Sequence, residues 1–487
     1  MQLHWHRDDL RCSDSVALSA AATSADDRGR VLPVFVFDDA VLEHASPNRV
    51  AFMREAVAAL RADYRARGSD LVVRRGDPRD VLPALADAVG ADRVVWNRGH
   101  SGLARERDAA VRDALDDADV AHADFEDAIL HEPGSITTND GTPYQVYTYF
   151  WKKWRDREKD APYDPPNPDA LWSPDDVDVD PVDAGASDAD AIDPGDVPSQ
   201  ADLGFDEPTA NLPAAGTDAA RDRLTSFLES DVYDYADLRD YPAADCTSHL
   251  SVDLKWGTIG IREVHDEVVA ARDFADTEAD YESVEEYRSQ LAWREFYAHV
   301  LHYNPEVVVE NYKDYAHEIA WRDDPDELAA WKRGETGYPV VDAGMRQLRE
   351  EGFVHNRVRM IVASFLTKDL QVDWREGYAH YREHLVDHDT ANDAGGWQWA
   401  ASTGTDAQPY FRIFNPTTQG EDYDPDAEYI RTYVPELRDA DAAAIHDWPE
   451  LSPSERQRQA PGYPAPIVDH GERRESALAM YEAARGD

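Results

Sequence analysis

Val31-Leu32-Pro33-Val34-Phe35-Val36-Phe37, closed by Asp38-Asp39, decides the fold of the first part of this chain. The run is apolar throughout, rich in β-branched and aromatic residues, and short for a helix. It predicts a strand buried on both faces, the kind found in parallel sheets covered by helices. Working outward, 47–67 carries Val50, Met53, Val57 and Leu60 at helical spacing. Leu71-Val72-Val73, then 81–89, then Val94-Val95-Trp96 repeat strand, helix and strand. The alternation, from residue 1 to about 130, predicts a Rossmann-like parallel-sheet α/β domain. No Gly-x-Gly-x-x-Gly follows a strand, so an ordinary dinucleotide site is not expected there.

Further along, 160–216 is rich in Asp, Pro, Ala and Gly with little periodicity. This composition marks a linker draped over the surface. From 217 onward the chain reads as helical, with 3.6-type spacing over 221–229, 282–301, 339–350, 357–369 and 374–384. A length of 487 residues also exceeds what one ordinary core accommodates. The expected organisation is an α/β domain over 1–130, an acidic, Pro-rich linker over 131–216 and an all-α domain over 217–487.

The formal charge is −50, from 99 Asp and Glu against 49 Lys and Arg. Lysine is scarce, confined to Lys152, Lys153, Lys159, Lys255, Lys313, Lys332 and Lys368. An acidic surface depleted of lysine reads as adaptation to a salt-filled cytosol rather than as a binding site for basic partners. Cys12 and Cys246 cannot form a disulfide framework or a four-cysteine cluster. The N-terminus lacks an apolar signal core and no run approaches 18 apolar residues, so a cytoplasmic, membrane-free protein is expected.

Aromatic residues crowd the helical half: Trp293, Trp321, Trp331, Trp374, Trp397 and Trp399. Any one tryptophan usually fills a core. In Gly395-Gly396-Trp397-Gln398-Trp399, however, two glycines let backbone approach a bulky planar partner, and alternating tryptophans can serve its different sides. A flavin or nucleobase pocket and a packed core both remain open. His355-Asn356-Arg357-Val358-Arg359-Met360 offers a helix start with two guanidiniums, suited to phosphate or carboxylate, or simply to a solvated face. The histidines read as scattered, so no metal site is expected. Gly-x-Ser-x-Gly and Gly-Lys-Ser/Thr are absent, which removes hydrolase and P-loop readings.

Larger blocks then come into view. They are Trp293-Arg294-Glu295-Phe296-Tyr297, Thr336-Gly337-Tyr338-Pro339-Val340-Val341-Asp342-Ala343-Gly344-Met345-Arg346, Phe353 through Met360 and Asp373-Trp374-Arg375-Glu376-Gly377. Gly395 through Asp406, Pro409-Tyr410-Phe411-Arg412-Ile413-Phe414-Asn415-Pro416 and the weaker His4-Trp5-His6-Arg7-Asp8-Asp9-Leu10-Arg11 complete the set. Together they resemble the photolyase/cryptochrome family, in particular its class I cyclobutane pyrimidine dimer photolyases. The resemblance runs over both domains and leaves only the acidic linker unmatched.

The resemblance implies FAD folded into a U inside the helical domain and light-driven repair of pyrimidine dimers in damaged DNA by a monomer. It assigns cofactor contacts to Tyr235, to the phosphate turn Thr247-Ser248-His249-Leu250-Ser251, to Arg294, and to Asp387, His388 and Asp389. It places Asp393 opposite the flavin N5 atom, where photolyases usually have Asn and plant cryptochromes have Asp. Trp397, Trp374 and Trp321 take the positions of an electron-hopping chain. Gln290, Trp293, Asn356, Met360 and Trp399 take those that bind the flipped dimer, with Gln290 in place of the usual Glu. The (6-4) photolyases carry two histidines where this chain has Asn356 and Met360, so the pair favours cyclobutane dimers. Arg357, Arg359 and Arg412 form an expected DNA-phosphate rim. Ser46-Pro47-Asn48-Arg49-Val50-Ala51-Phe52 and Trp96-Asn97 resemble the 8-hydroxy-5-deazaflavin antenna subtype, while Leu103-Ala104 replaces the Asn-Glu pair of the folate subtype. The alternatives are a cryptochrome-type photoreceptor and (6-4) photolyase activity.

Overall fold

The structure is a computed structural model that describes residues 1–174 and 192–486. Its first part is a five-stranded, wholly parallel sheet in the order β3-β2-β1-β4-β5. The strands are β1 (Gln2–His6), β2 (Val31–Phe37), β3 (Val72–Arg75), β4 (Arg93–Asn97) and β5 (Ala121–Phe125). Helices α1 (Val16–Thr23), α2 (Pro47–Ala66), α3 (Pro78–Val89) and α4 (Gly102–Asp117) make the crossovers. Every residue of β2 is buried, as its unbroken apolar run requires. Pro33 is tolerated inside the sheet because β3 pairs with β2 only from Val34 onward.

The strand order reverses between β1 and β4, the place where sheets of this kind open a crevice at the carboxyl ends of their strands. Here the protein fills it with its own polar network. Asn97 Nδ2 donates to Asp9 Oδ2 at 2.6 Å, and Arg7 reaches both the Asn97 carbonyl and Asp108. Arg11 and Arg262 close on Asp14 and Asp127, which joins the sheet to the helical part.

The span 131–216 is more ordered than its composition suggests. Helix α5 (Tyr147–Asp156) buries Tyr147, Phe150 and Trp154 against the helical domain. Trp172 N donates to Val31 O, and Val73 N to Pro194 O, so the chain straps the edge of the sheet. The helical spacing over 221–229, 282–301, 339–350, 357–369 and 374–384 corresponds to the helix Thr217–Ser226 and to α6 (Glu278–Tyr303), α7 (Pro339–Glu351), α8 (Asn356–Ser364) and α9 (Trp374–His384), and α10 (Thr390–Ala400) follows. Two predicted helices pass into π-helical turns, Phe227–Asp231 and Phe365–Asp369. The largest core gathers α7 to α10 around Trp331, Trp374 and Trp397.

Candidate functional site

Helix α9 and the turn after it carry Asp387, His388 and Asp389 into α10, which Asp389 caps by accepting from Asn392 N at 2.8 Å. The two glycines of α10 do different things. A Cβ on Gly395 would fall 2.2 Å from the Tyr297 ring, so glycine lets α10 approach α6. A Cβ on Gly396 would meet nothing within 4 Å. Gly396 therefore presents bare helix backbone to open space, a surface that a planar ligand can lie against. On α9, a Cβ on Gly377 would sit 2.1 Å from the buried Trp397 ring, so this glycine seats the tryptophan.

A charge-paired cluster lies next to this surface. Arg359 donates to Asp387 Oδ2 at 2.7 Å and stands 3.6 Å from Asp393 Oδ1. Burial opposes its charge, yet Asp387 and Asp393 hold its pKa above the usual arginine value. Asp393 Oδ2 accepts from His388 Nδ1 at 2.6 Å and from Asp389 N at 3.2 Å. Asp389 is half-buried; desolvation opposes its charge, but Arg294, Lys255 and the Asn392 hydrogen bonds hold its carboxyl below the usual range. Arg294 itself donates to Ala128 O at 2.5 Å and Leu254 O at 3.0 Å, at the cleft where the two domains meet.

The turn predicted to bind phosphate runs into this cluster. His249 takes a left-handed backbone with φ 51° and packs tilted against Phe353, over which Arg359 also sits. Tyr287 OH donates to Ser248 Oγ at 2.9 Å, and its ring meets Tyr235 edge-on. Thr247 and Ser248 are half-buried, whereas Ser251, at the start of a six-residue helix, is exposed and Leu250 buried.

On the outer side, Gln290 and Trp293 share one face of α6, and Asn356 and Met360 one face of α8. Gln290 Nε2 donates to Glu286 Oε1 at 3.0 Å, and Glu286 pairs with Arg239. Trp399 is half-buried near Phe414. Trp293 stacks on Tyr147 with ring centroids 3.7 Å apart and planes 12° from parallel. Tyr147 lies in the span read as linker. The aromatic run Tyr144-Gln145-Val146-Tyr147-Thr148-Tyr149-Phe150-Trp151, so unlike the acidic stretch after it, was the available signal.

Other expected sites are arranged less simply. Trp397, Trp374 and Trp321 belong to one core region, but no ring–ring contact joins them among the described residues. Trp374 Nε1 donates to Asn311 Oδ1, and Trp321 meets Tyr481 edge-on. Of the three rim arginines only Arg412 is exposed. Arg357 pairs with Asp240 and lies over the Tyr423 ring, and Arg359 faces inward to Asp387. The histidines are also less scattered than expected: His380-Tyr381-Arg382-Glu383-His384 puts two of them four residues apart on α9.

Comparison with known families matches residues 2–169 to the model described as DNA photolyase and residues 287–483 to the FAD binding domain of DNA photolyase. The chain belongs to the DNA photolyase family. It is 61% identical over 494 residues to the deoxyribodipyrimidine photo-lyase of Halobacterium salinarum, with 100% of each chain covered. The crystal structure of a class III photolyase from Agrobacterium tumefaciens superposes with TM-score 0.89 at 37% identity, covering 100% of this chain and 98% of that one. An archaeal photolyase from Sulfolobus tokodaii, solved with two FAD molecules, gives TM-score 0.81 at 30% identity over 99% of each chain.

For a photolyase-family protein the cluster fits FAD. Asp387 Oδ1 and Trp397 Nε1 are buried without a protein partner, an acceptor and a donor of the kind that ligand atoms satisfy. Gly396, one residue before Trp397, leaves backbone open to a ligand. The residues expected to mark an antenna site fit less well. Asn48 bonds His384 O, Thr209 N and Ala210 N, Asn97 bonds Asp9, and Trp96 is wholly buried. No helix among the described residues is long and apolar enough to cross a membrane.

Proposed function

We propose that this protein uses light to open cyclobutane pyrimidine dimers in DNA, acting as a monomer in the cytoplasm. The observation that carries this reading is the pairing of a buried, charge-compensated cluster and bare Gly396 backbone with an outer rim of Gln290, Trp293, Asn356, Met360 and Trp399. In it, 1–130 is the antenna-type domain, 131–216 the connection and 217–487 the catalytic domain. FAD is held by Tyr235, the 247–251 turn, Arg294, Asp387, His388, Asp389 and Asp393. When bound and reduced, FAD supplies on illumination the electron that opens the cyclobutane ring.

The chain's own contribution is positioning. Tyr147 stacks on Trp293 and fixes the plane of the indole proposed to meet an extruded dimer. Extrusion costs least at a damaged, poorly stacked step, which contributes selectivity. The amides of Gln290 and Asn356 can both donate and accept at pyrimidine edges. Arg359 balances the carboxylates of Asp387 and Asp393 and keeps the turn between α9 and α10 in place. Trp397, Trp374 and Trp321 serve electron supply, and Arg412 serves the DNA backbone from the exposed rim. An 8-hydroxy-5-deazaflavin antenna has no support from Asn48, Trp96 or Asn97, and no step depends on it.

A second reading, a cryptochrome-type photoreceptor, draws on Asp393, a carboxylate where photolyases usually have an amide. Binding separates the two. The FAD-loaded protein should prefer an oligonucleotide with a cyclobutane dimer over its undamaged copy and over one with a (6-4) product. Equal affinity for all three in high salt would overturn the repair reading.

A further inference from the structure

Among the described residues two groups could each offer three ligand atoms to a metal ion. His4, His6 and Asp9 form the first, buried at the end of β1. It is already committed: His6 Nδ1 meets Asp9 O at 3.0 Å, His6 Nε2 meets Tyr64 OH at 2.7 Å, and Asp9 accepts from Arg7 N and Asn97 Nδ2.

The second group is His380, Glu383 and His384, on the last turns of α9. Residues at i, i+3 and i+4 share one helix face, and these ligand atoms lie within 4.8 Å of one another. His384 Nδ1 is 3.1 Å from His380 O. A carbonyl only accepts, so Nδ1 carries the proton and Nε2 keeps its lone pair, the orientation that metal-binding histidines adopt. His380 is 6% exposed, and its Nε2 is buried with no partner. Glu383 is exposed, and its Oε2 lies 3.9 Å from His380 Nδ1.

We infer that His380, Glu383 and His384 bind one divalent transition-metal ion of the zinc, cobalt or nickel class. Two imidazoles and a carboxylate suit these ions, whereas magnesium and calcium take oxygen ligands. Three protein ligands leave a position for water, so the site is exchangeable rather than closed. Its place in the fold gives it a consequence. His384 O accepts from Asn48 Nδ2 of α2 at 3.0 Å, and the chain reaches Asp387 three residues later. An ion here fastens the joint between the α/β domain and the turn that forms the charge-paired cluster.

The test is a Co2+ titration of chelator-treated, FAD-loaded full-length protein, read by the visible ligand-field bands of the ion. About 1 M salt, with a Debye length of about 3 Å, suppresses diffuse binding to the acidic surface. The expected result is saturation at one ion per chain, displaced by Zn2+ but not by excess Mg2+. His384→Gln should weaken binding by more than the ~10–100-fold that loss of an outer-shell partner costs, and Glu383→Gln should weaken it less. Retained FAD absorbance verifies that both variants are folded. Absence of saturable binding in the wild type, or unchanged affinity in both variants, would overturn the assignment.

Discussion

Alanine at Gly377 and at Gly396 should have opposite effects, although both glycines lie in helices of the same core. At Gly377 the added Cβ would meet three Trp397 ring atoms at 2.1, 2.3 and 2.6 Å. Ordinary carbon–carbon contact needs about 3.5–4.0 Å, so the indole must retreat by roughly 1.5 Å. It has little room, because Tyr381 packs edge-on at 4.9 Å and Trp331 at 6.1 Å. Overpacking of this kind costs about 1–3 kcal/mol, and the better helix propensity of alanine returns at most about 1 kcal/mol. Gly377→Ala should therefore lower the unfolding free energy by about 1–2 kcal/mol and slow photoreduction of the flavin. At Gly396 nothing lies within 4 Å, so alanine should leave the apoprotein as stable or up to ~1 kcal/mol more stable. The same methyl should reduce FAD retention, because it fills the cradle. Urea unfolding of both apo variants in high salt, with the flavin content of each preparation, gives the answer. Gly377→Ala at full stability, or Gly396→Ala with full FAD content, would refute the placement of Trp397 or of the cradle respectively.

Trp399→Ala should cost the dimer-containing oligonucleotide about 1–3 kcal/mol of binding while FAD content stays unchanged; loss of FAD instead would mean that Trp399 supports the cofactor. Tyr147→Ala removes a stacked partner worth about 0.5–1.5 kcal/mol beyond its buried area, so unfolding and dimer affinity should weaken together. Arg412→Ala should lower affinity for damaged and undamaged DNA alike and reduce the slope of log affinity against log salt by about 1. Burial, with Arg288 and Lys159 nearby, lowers the His265 pKa from 6.5 to about 3. The unfolded chain then binds the extra proton between those values, so stability falls as pH drops below about 6.5, by up to ~1.4 kcal/mol per unit. His265→Gln should flatten that slope in unfolding measured between pH 6.5 and 5, and an unchanged slope would contradict it.

The strands were legible because a parallel sheet buries both faces of its strands. Val31–Phe37 has the same ends in sequence and structure, and the helix read over 374–384 is α9 itself. What escaped depended on contacts between distant segments. Composition marked 131–216 as linker, yet Tyr147 reaches Trp293 across more than a hundred residues. Arg359 looked like a phosphate ligand beside Arg357, but the Asp387 carboxylate, from beyond the next helix, turns it inward. Gly395 and Gly396 are indistinguishable in sequence, and only their neighbours, Tyr297 and open space, separate packing from ligand approach. The residues proposed for the lesion rim fall, Gln290 apart, in the short family blocks on α6, α8 and α10.

The central claim is tested most directly by illuminating the reduced, FAD-loaded protein with a thymine-dimer oligonucleotide in high salt and following thymine absorbance. Recovery of absorbance in proportion to blue-light dose, with none in the dark, is the predicted result. No recovery from a preparation whose flavin is bound and photoreducible would contradict the account and leave photoreception as the better reading of the same fold.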